Sequence, residues 1–388
     1  MKKLSLVILI MMLVLVGCNK SKVDEHEIDN QYKETRVFEV GEIINLNVNQ
    51  YLKTYDFNRV NFISSNQTVA RINYKEELVI MKAGRTDIEI ELYDDNNLVS
   101  VINYGEVIVL DINDPLFKPI NNLNDLQSIK KSGYYYLNSN IQVIKPMKPI
   151  SSFEGVLINP HNYSISNLSI DASQDFALFS LVKDAYINGM IFENVVLTGI
   201  NGSTATLANI VQESYITNVK AQGEISGGQK VAGLFGSVLA SQVINCSFEG
   251  TISNGQYMGG IASFSENTEI INSYYIGNIG DSVGENTSNI GGIVGMIKGG
   301  LIKNTYYAGQ LIYTDIDNVS PIANAIKEYY YLSNVIYTID MEDKYLYNPL
   351  YCLNPEVHYY QESDLKQGIK IGGFDAFTFI KDHYPKSN

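Results

Sequence analysis

AGLFGSVLASQVINCSFEGTI (232–252), GGIASFSENTEIINSYYIGNI (259–279) and GGIVGMIKGGLIKNTYYAGQL (291–311) write one line three times. Aligned on a single asparagine, the pattern extends to Asn188, Asn218, Asn245, Asn272, Asn304 and Asn334. The steps are 30, 27, 27, 32 and 30 residues (218−188, 245−218, 272−245, 304−272, 334−304). A fixed period in this range is the mark of a stacked repeat.

The columns identify the repeat. Two before the asparagine stand Tyr186, Ile216, Val243, Ile270, Ile302 and Leu332; three after it stand Ile191, Ala221, Phe248, Tyr275, Tyr307 and Tyr337. Gly223, Gly250, Gly277 and Gly309 follow at five, and Ile225, Ile252, Ile279 and Leu311 at seven. Alternation at steps of two is the strand period. The apolar parity switches at the asparagine, so the chain turns there; asparagine tolerates left-handed backbone and bonds its own turn. Equivalent asparagines one coil apart would stack into a side-chain ladder. The four glycines are read as a second corner, where no Cβ fits. Strands with corners at fixed offsets predict an all-β chain built on a right-handed parallel β-helix.

At this point the lines resemble the GLUG repeat family, whose signature is a GG-(I/L)-V-G turn followed by an I-x-N-(C/T/S)-Y-x-x-G strand. Gly291, Gly292, Ile293, Val294 and Gly295, then Asn304, Thr305, Tyr306 and Gly309, carry the likeness most closely. Gly233 to Gly236 with Asn245, Cys246 and Gly250 carry it nearly as well, while the copy at Asn218 lacks both the glycine pair and the aromatic. The resemblance implies a bacterial surface protein with a scaffold or adhesion role, and it brings no catalytic residues.

The chain opens with Lys2 and Lys3, then an apolar run from Leu4 to Val16 that is too short to span a bilayer as a mature helix. Leu15-Val16-Gly17-Cys18 resembles a bacterial lipobox, which predicts a lipoprotein signal over 1–18 and lipidation of Cys18. Residues 19–35 are polar and aperiodic and read as a disordered tether. Its His26-Glu27 lacks the second histidine of a zinc-protease helix.

Residues 36–112 alternate in short runs with turn signals between them, which predicts a β-sandwich of six or seven strands. Ser64 to Ile72, with Ala83-Gly84 leading into TDIEIEL, is similar to bacterial immunoglobulin-like group 2 domains, and Phe62-Ile63 stands where their tryptophan would. The likeness implies a spacer. The β-helix is assigned to 113–344, with a capping helix over 121–131 built on Leu123, Leu126 and Ile129 and capped by Asn122 or Asn124. Residues 345–388 are assigned to a C-terminal cap in which Phe377, Phe379 and Ile380 form a last capping strand.

A formal net charge of −14 argues against nucleic acid and anionic lipid as partners. The arginines, Arg36, Arg59, Arg71 and Arg85, all precede residue 100, which disfavours bidentate anion recognition by the repeats. Cys246 falls in an inward column and reads as core, with no disulfide framework. No cofactor or metal is called for: the acidic turn Asp94 to Asn97 and the loop bearing Asp281 and Glu285 read as solvated. Glycoside hydrolysis needs two converging carboxylates, and Glu193, Glu213, Glu224, Glu249, Glu266 and Glu269 fall in different columns of this alignment. Tyr274 and Tyr306, two after their asparagines and outward by parity, form an expected exposed stripe for a partner.

The expectation is therefore a lipid-anchored surface protein that binds an extracellular glycan or protein without catalysis. The alternatives are a polysaccharide-active β-helix enzyme and a passive structural component.

Overall fold

The computed structural model describes residues 34–46, 55–281, 289–313, 318–325, 328–339, 352–353, 355–367, 371, 374–380 and 383–387. Cys18, nearly all of the tether and Glu285 lie outside them. So do residues 282–288, the loop behind the 32-residue step, and residues 345–351 of the assigned cap.

The chain is all-β, and its body is a parallel β-solenoid of the right-handed type with about seven turns. One full coil reads Lys230–Ala232, Phe235–Leu239, Gln242–Ile244 and Ser247–Ser253. The first strand of each coil joins a five-stranded sheet and the second a six-stranded sheet; the third and fourth share one 17-stranded sheet bent at the asparagine. Pairing is parallel, residue on residue: Val243 on Ile270, Phe248 on Tyr275, Gly250 on Gly277.

The asparagine corner is as read. Asn218, Asn245, Asn272, Asn304 and Asn334 have φ between 48° and 55°, the left-handed region that asparagine enters at low cost. Asn218 Nδ2 donates to Asn188 Oδ1 (2.8 Å) and Asn245 Nδ2 to Asn218 Oδ1 (3.2 Å). Asn304 donates to Asn272 (3.2 Å) and Asn334 to Asn304 (2.9 Å). Asn245 Oδ1 accepts nothing among the described residues, so the ladder runs in two segments.

Two readings need correction. Asn188 is one residue out of register: Ile187 pairs with Ile216 and Asn188 with Thr217, so Gly189 (φ 81°) holds the corner, a step of 29 (218−189). The side chain of Asn188 reaches the ladder from the neighbouring position. The glycine column is also not a corner. Gly223, Gly250, Gly277 and Gly309 lie inside continuous strands at φ 146–151°. A Cβ on Gly250 would stand 1.8 Å from Gly223 O, and one on Gly277 1.8 Å from Gly250 O. Glycine is required there because successive backbones touch.

The second corner lies elsewhere, at Asp184, Glu213, Ala240, Asn267 and Gly299 (φ 44–69°). It is held by the residue that follows. Ser214 Oγ donates to Gln212 O and accepts from Ala185 N; Ser241 Oγ donates to Leu239 O and accepts from Ser214 N. Past the asparagine corner Cys246, Ser273 and Thr305 do the same, and each coil thereby satisfies the N–H of the coil before it. Cys246 is fully buried in this role, as its column implies, and burial pushes its thiol up to about 12.

The interior is filled by aromatics facing glycines. A Cβ on Gly233 would meet the Phe248 ring at 2.3 Å, one on Gly260 Tyr275 Cβ at 2.5 Å, and one on Gly292 the Tyr307 ring at 2.4 Å. Tyr275 and Tyr307 stack at 5.2 Å, and Tyr275 Oη donates to Asn278 O (2.7 Å). One coil earlier the register places Thr206 at the Gly233 position and Ala221 at the Phe248 position. The small ring partner and the larger facing residue change together.

Residues before the solenoid form seven described strands in a four-stranded and a three-stranded sheet, sharing a core of Leu78, Ile80, Ile88, Val107 and Val109. The hairpin turn is at Asp94 to Asn97 as read, and Asn58 Nδ2 donates to both turn carboxylates. Ala83 and Ile108 pack on Val156, Ile158 and Tyr186, outward residues of the early coils. Arg85 Nη1 donates to Asp184 O (2.7 Å). The helix is shorter than expected, Leu123–Gln127, with Asn122 as its cap; Leu126 and Ile129 enter the solenoid core.

Ala221→Tyr alone is expected to cost about 1–3 kcal/mol by overpacking against Thr206. The double variant Thr206→Gly/Ala221→Tyr is expected to recover most of that loss in urea unfolding. A double variant no more stable than the sum of its parts would overturn this reciprocity.

Candidate functional site

The fourth strands present two outward columns. Register pairs Ile191 with Lys220, Lys220 with Ser247, Ser247 with Tyr274, and Tyr274 with Tyr306. The second column runs Gln222, Glu249, Ile276, Ala308. Glu193 stands beside it in a β-bulge: Phe192 pairs with Ala221 and Val195 with Gly223, so Glu193 and Asn194 (φ 52°) together face Gln222. The alignment, offset by one residue at Asn188, separated two acids that line one groove from coils two apart, with Gln222 on the coil between them.

The tyrosine stripe is corrected as well. Tyr274 and Tyr306 do stack one coil apart, at 5.1 Å and 6°. Each is only 1% exposed. The C-terminal segment lies over them: Leu365, Phe374 and Phe377 pack on Tyr274, Tyr306, Ala308 and Ile336, and Tyr306 Oη donates to Pro385 O. Phe377–Thr378 pairs antiparallel with Lys386–Ser387 as a small hairpin on the outer wall rather than a last rung, and Ile380 is exposed. The next rung is supplied instead by Cys352–Leu353 and Val357–Tyr359 on Tyr330–Tyr337. Apolar outward residues were legible as such; their cover comes from a segment outside the repeat.

The cover stops at Lys386. Its Nζ donates to both oxygens of Glu249 (2.6 and 2.9 Å), and Tyr274 Oη donates to Glu249 Oε1 (2.9 Å). On the uncovered side is a groove of about 180 Å³ whose polar lining is Glu193, Lys220, Gln222, Ser247, Glu249 and Lys386. Burial, then the Lys386 ammonium, pull the Lys220 pKa down, while Glu249 pulls it up. Glu193 and Gln222 have no hydrogen-bond partner among the described residues, so a carboxylate acceptor and a carboxamide one rung apart face solvent.

Of the other acids, Glu224 is exposed and three are taken up locally. Glu266 pairs with Lys298 (2.6 Å), Glu213 with Lys183 (3.6 Å), and Glu269 accepts from Gln242 (3.0 Å). No group of three or more potential metal ligands occurs among the described residues. No protein-family model matches the chain, and no curated protein matches it.

Burial first, and Glu249 next, hold the Tyr274 phenol above its ordinary range, and burial does the same at Tyr306. The folded chain keeps these protons where the unfolded chain loses them, so stability falls as pH rises past about 10. Spectrophotometric titration is expected to find a late-ionising tyrosine group that shifts toward normal in Phe377→Ala. An unchanged titration in that variant would mean that the C-terminal hairpin does not seal the stack.

Proposed function

We propose that the chain is a lipid-anchored surface protein whose solenoid binds a glycan in the outer-wall groove without transforming it. The observation that carries this reading is the pair Glu193 and Gln222, on adjacent coils, both lining the groove with side chains that make no hydrogen bond among the described residues. A carboxylate accepts from hydroxyls and a carboxamide both accepts and donates. Adjacent, they suit neighbouring hydroxyls on a sugar ring.

A protein partner fits less well. Protein interfaces centre on exposed Trp, Tyr or Arg anchors. The solenoid has no Trp or Arg, and the tyrosines beside the groove are sealed. The charged, apolar and Cys18-terminated start supports secretion and lipidation, and the likeness to GLUG repeats and to group 2 immunoglobulin-like domains supports a surface scaffold.

A second reading is favoured by Glu193 and Glu249 lining one groove from coils two apart. Two rungs put their backbones about 10 Å apart, near the upper end of the carboxyl separation of inverting glycosidases, about 6.5–9.5 Å. Glu249, held by Lys386 and Tyr274, is poorly placed to give or take a proton in that role.

On an array of neutral and uronate oligosaccharides the protein is expected to bind a subset, and Glu193→Gln and Gln222→Ala are each expected to weaken binding roughly tenfold, one hydrogen bond's worth. Binding untouched by both substitutions would remove the groove from consideration. Reducing-sugar release that Glu193→Gln abolishes would turn the module into an enzyme. Cys18→Ala is expected to move the protein from the membrane fraction to the medium; retention on the membrane would sink the anchor.

A further inference from the structure

We infer that the groove reads the end of a neutral sugar chain rather than its middle, an inference that rests on the glycan reading above. The groove floor does not stop at Glu249 and Ser247. The same two columns continue as Tyr274, Tyr306, Ile276 and Ala308, but there the C-terminal hairpin lies on top of them. The transition is abrupt: Lys386 closes on Glu249, and Tyr274 beneath it is 1% exposed. Toward the earlier coils no comparable cover occurs among the described residues, and the wall carries only the Glu193–Asn194 bulge. Ile191 and Glu193 pair with Ser164 and Ser166, half-buried small polar residues on the next rung. The groove therefore has one blind end and one open end, and a polymer enters it terminus first.

Charge sets the class. Glu193 and Glu249 offset Lys220 and Lys386 within the groove, and the chain as a whole carries −14. A uronate or phosphate polymer would meet no net positive site and a repelling protein.

The test is calorimetric titration with linear neutral oligosaccharides of increasing length from the glucose, mannose and N-acetylglucosamine series, with cyclic glucans as chains without ends, and with uronate oligosaccharides. Affinity is expected to level off within the first few sugars, cyclic glucans are expected not to bind, and uronates are expected to bind more weakly than their neutral counterparts. Phe377→Ala, confirmed to unseat the hairpin by the earlier ionisation of its tyrosines, is expected to extend the groove over Tyr274 and Tyr306, so that affinity climbs further with length and cyclic glucans bind. Wild-type affinity that keeps rising with length, equal binding of cyclic and linear chains, or preference for uronates would overturn the inference while leaving glycan binding intact. Failure of every sugar to bind would instead overturn the glycan reading, and this inference with it.

Discussion

The structure depends on backbone stacked directly on backbone. Gly223, Gly250, Gly277 and Gly309 sit in line with less than 2 Å between each would-be Cβ and the next carbonyl oxygen. Val195 heads the column, and in the four coils after it only glycine fits, because each Cβ would meet the carbonyl of the coil before. Close approach on this wall leaves the interior narrow, so a large ring on one side demands a glycine on the other. Gly233 against Phe248, Gly260 against Tyr275 and Gly292 against Tyr307 are three solutions of one equation; Thr206 with Ala221 is the inverse solution. Native packing density allows neither a void nor an overlap at these sites.

Corners are subject to a second constraint. Every turn out of a strand frees backbone N–H groups that the interior cannot hydrate. A hydroxyl or thiol placed immediately after a left-handed residue takes the carbonyl two residues back and accepts an N–H from the coil before. Ser214, Ser241 and Thr268 serve one corner, and Cys246, Ser273 and Thr305 the other. The left-handed residue itself is then free to vary: one corner accepts Asp, Glu, Ala, Asn and Gly, and the other begins with Gly189 before asparagine, held there by its side-chain ladder, takes over.

That difference explains what the sequence disclosed. The asparagine corner repeats a residue type, so it was legible and located the repeat. The second corner repeats only a conformation, and the signal that marks it is the hydroxyl column at 214, 241 and 268. The glycines repeat visibly, but a glycine column is consistent with a turn or with close approach, and only the backbone angles distinguish them. The shared groove of Glu193 and Glu249 was hidden by Asn188, an asparagine in the right neighbourhood and the wrong register, and by the bulge at Glu193–Asn194. The groove itself could not be read from the repeat at all, because its blind end is made by Lys386, 137 positions away from Glu249.

The Lys386–Glu249 contact also bears on what the C-terminal hairpin is for. The two side chains are 52% and 32% exposed, and ion pairs in such settings contribute about 0–1 kcal/mol. Burial of Phe374 and Phe377 on the stacked tyrosines removes far more apolar surface from water, at about 25 cal/mol per Å², and suffices to hold the hairpin down. A stability role therefore does not account for an ammonium set against both oxygens of one carboxylate at the margin of the stretch of this wall where Glu193, Gln222 and Lys220 line the groove. Its effect there is on shape and charge. It ends the groove, neutralises one of its two acids and fixes that carboxylate against rotation. The apolar residues of the hairpin account for its attachment, and its lysine for where the open wall stops.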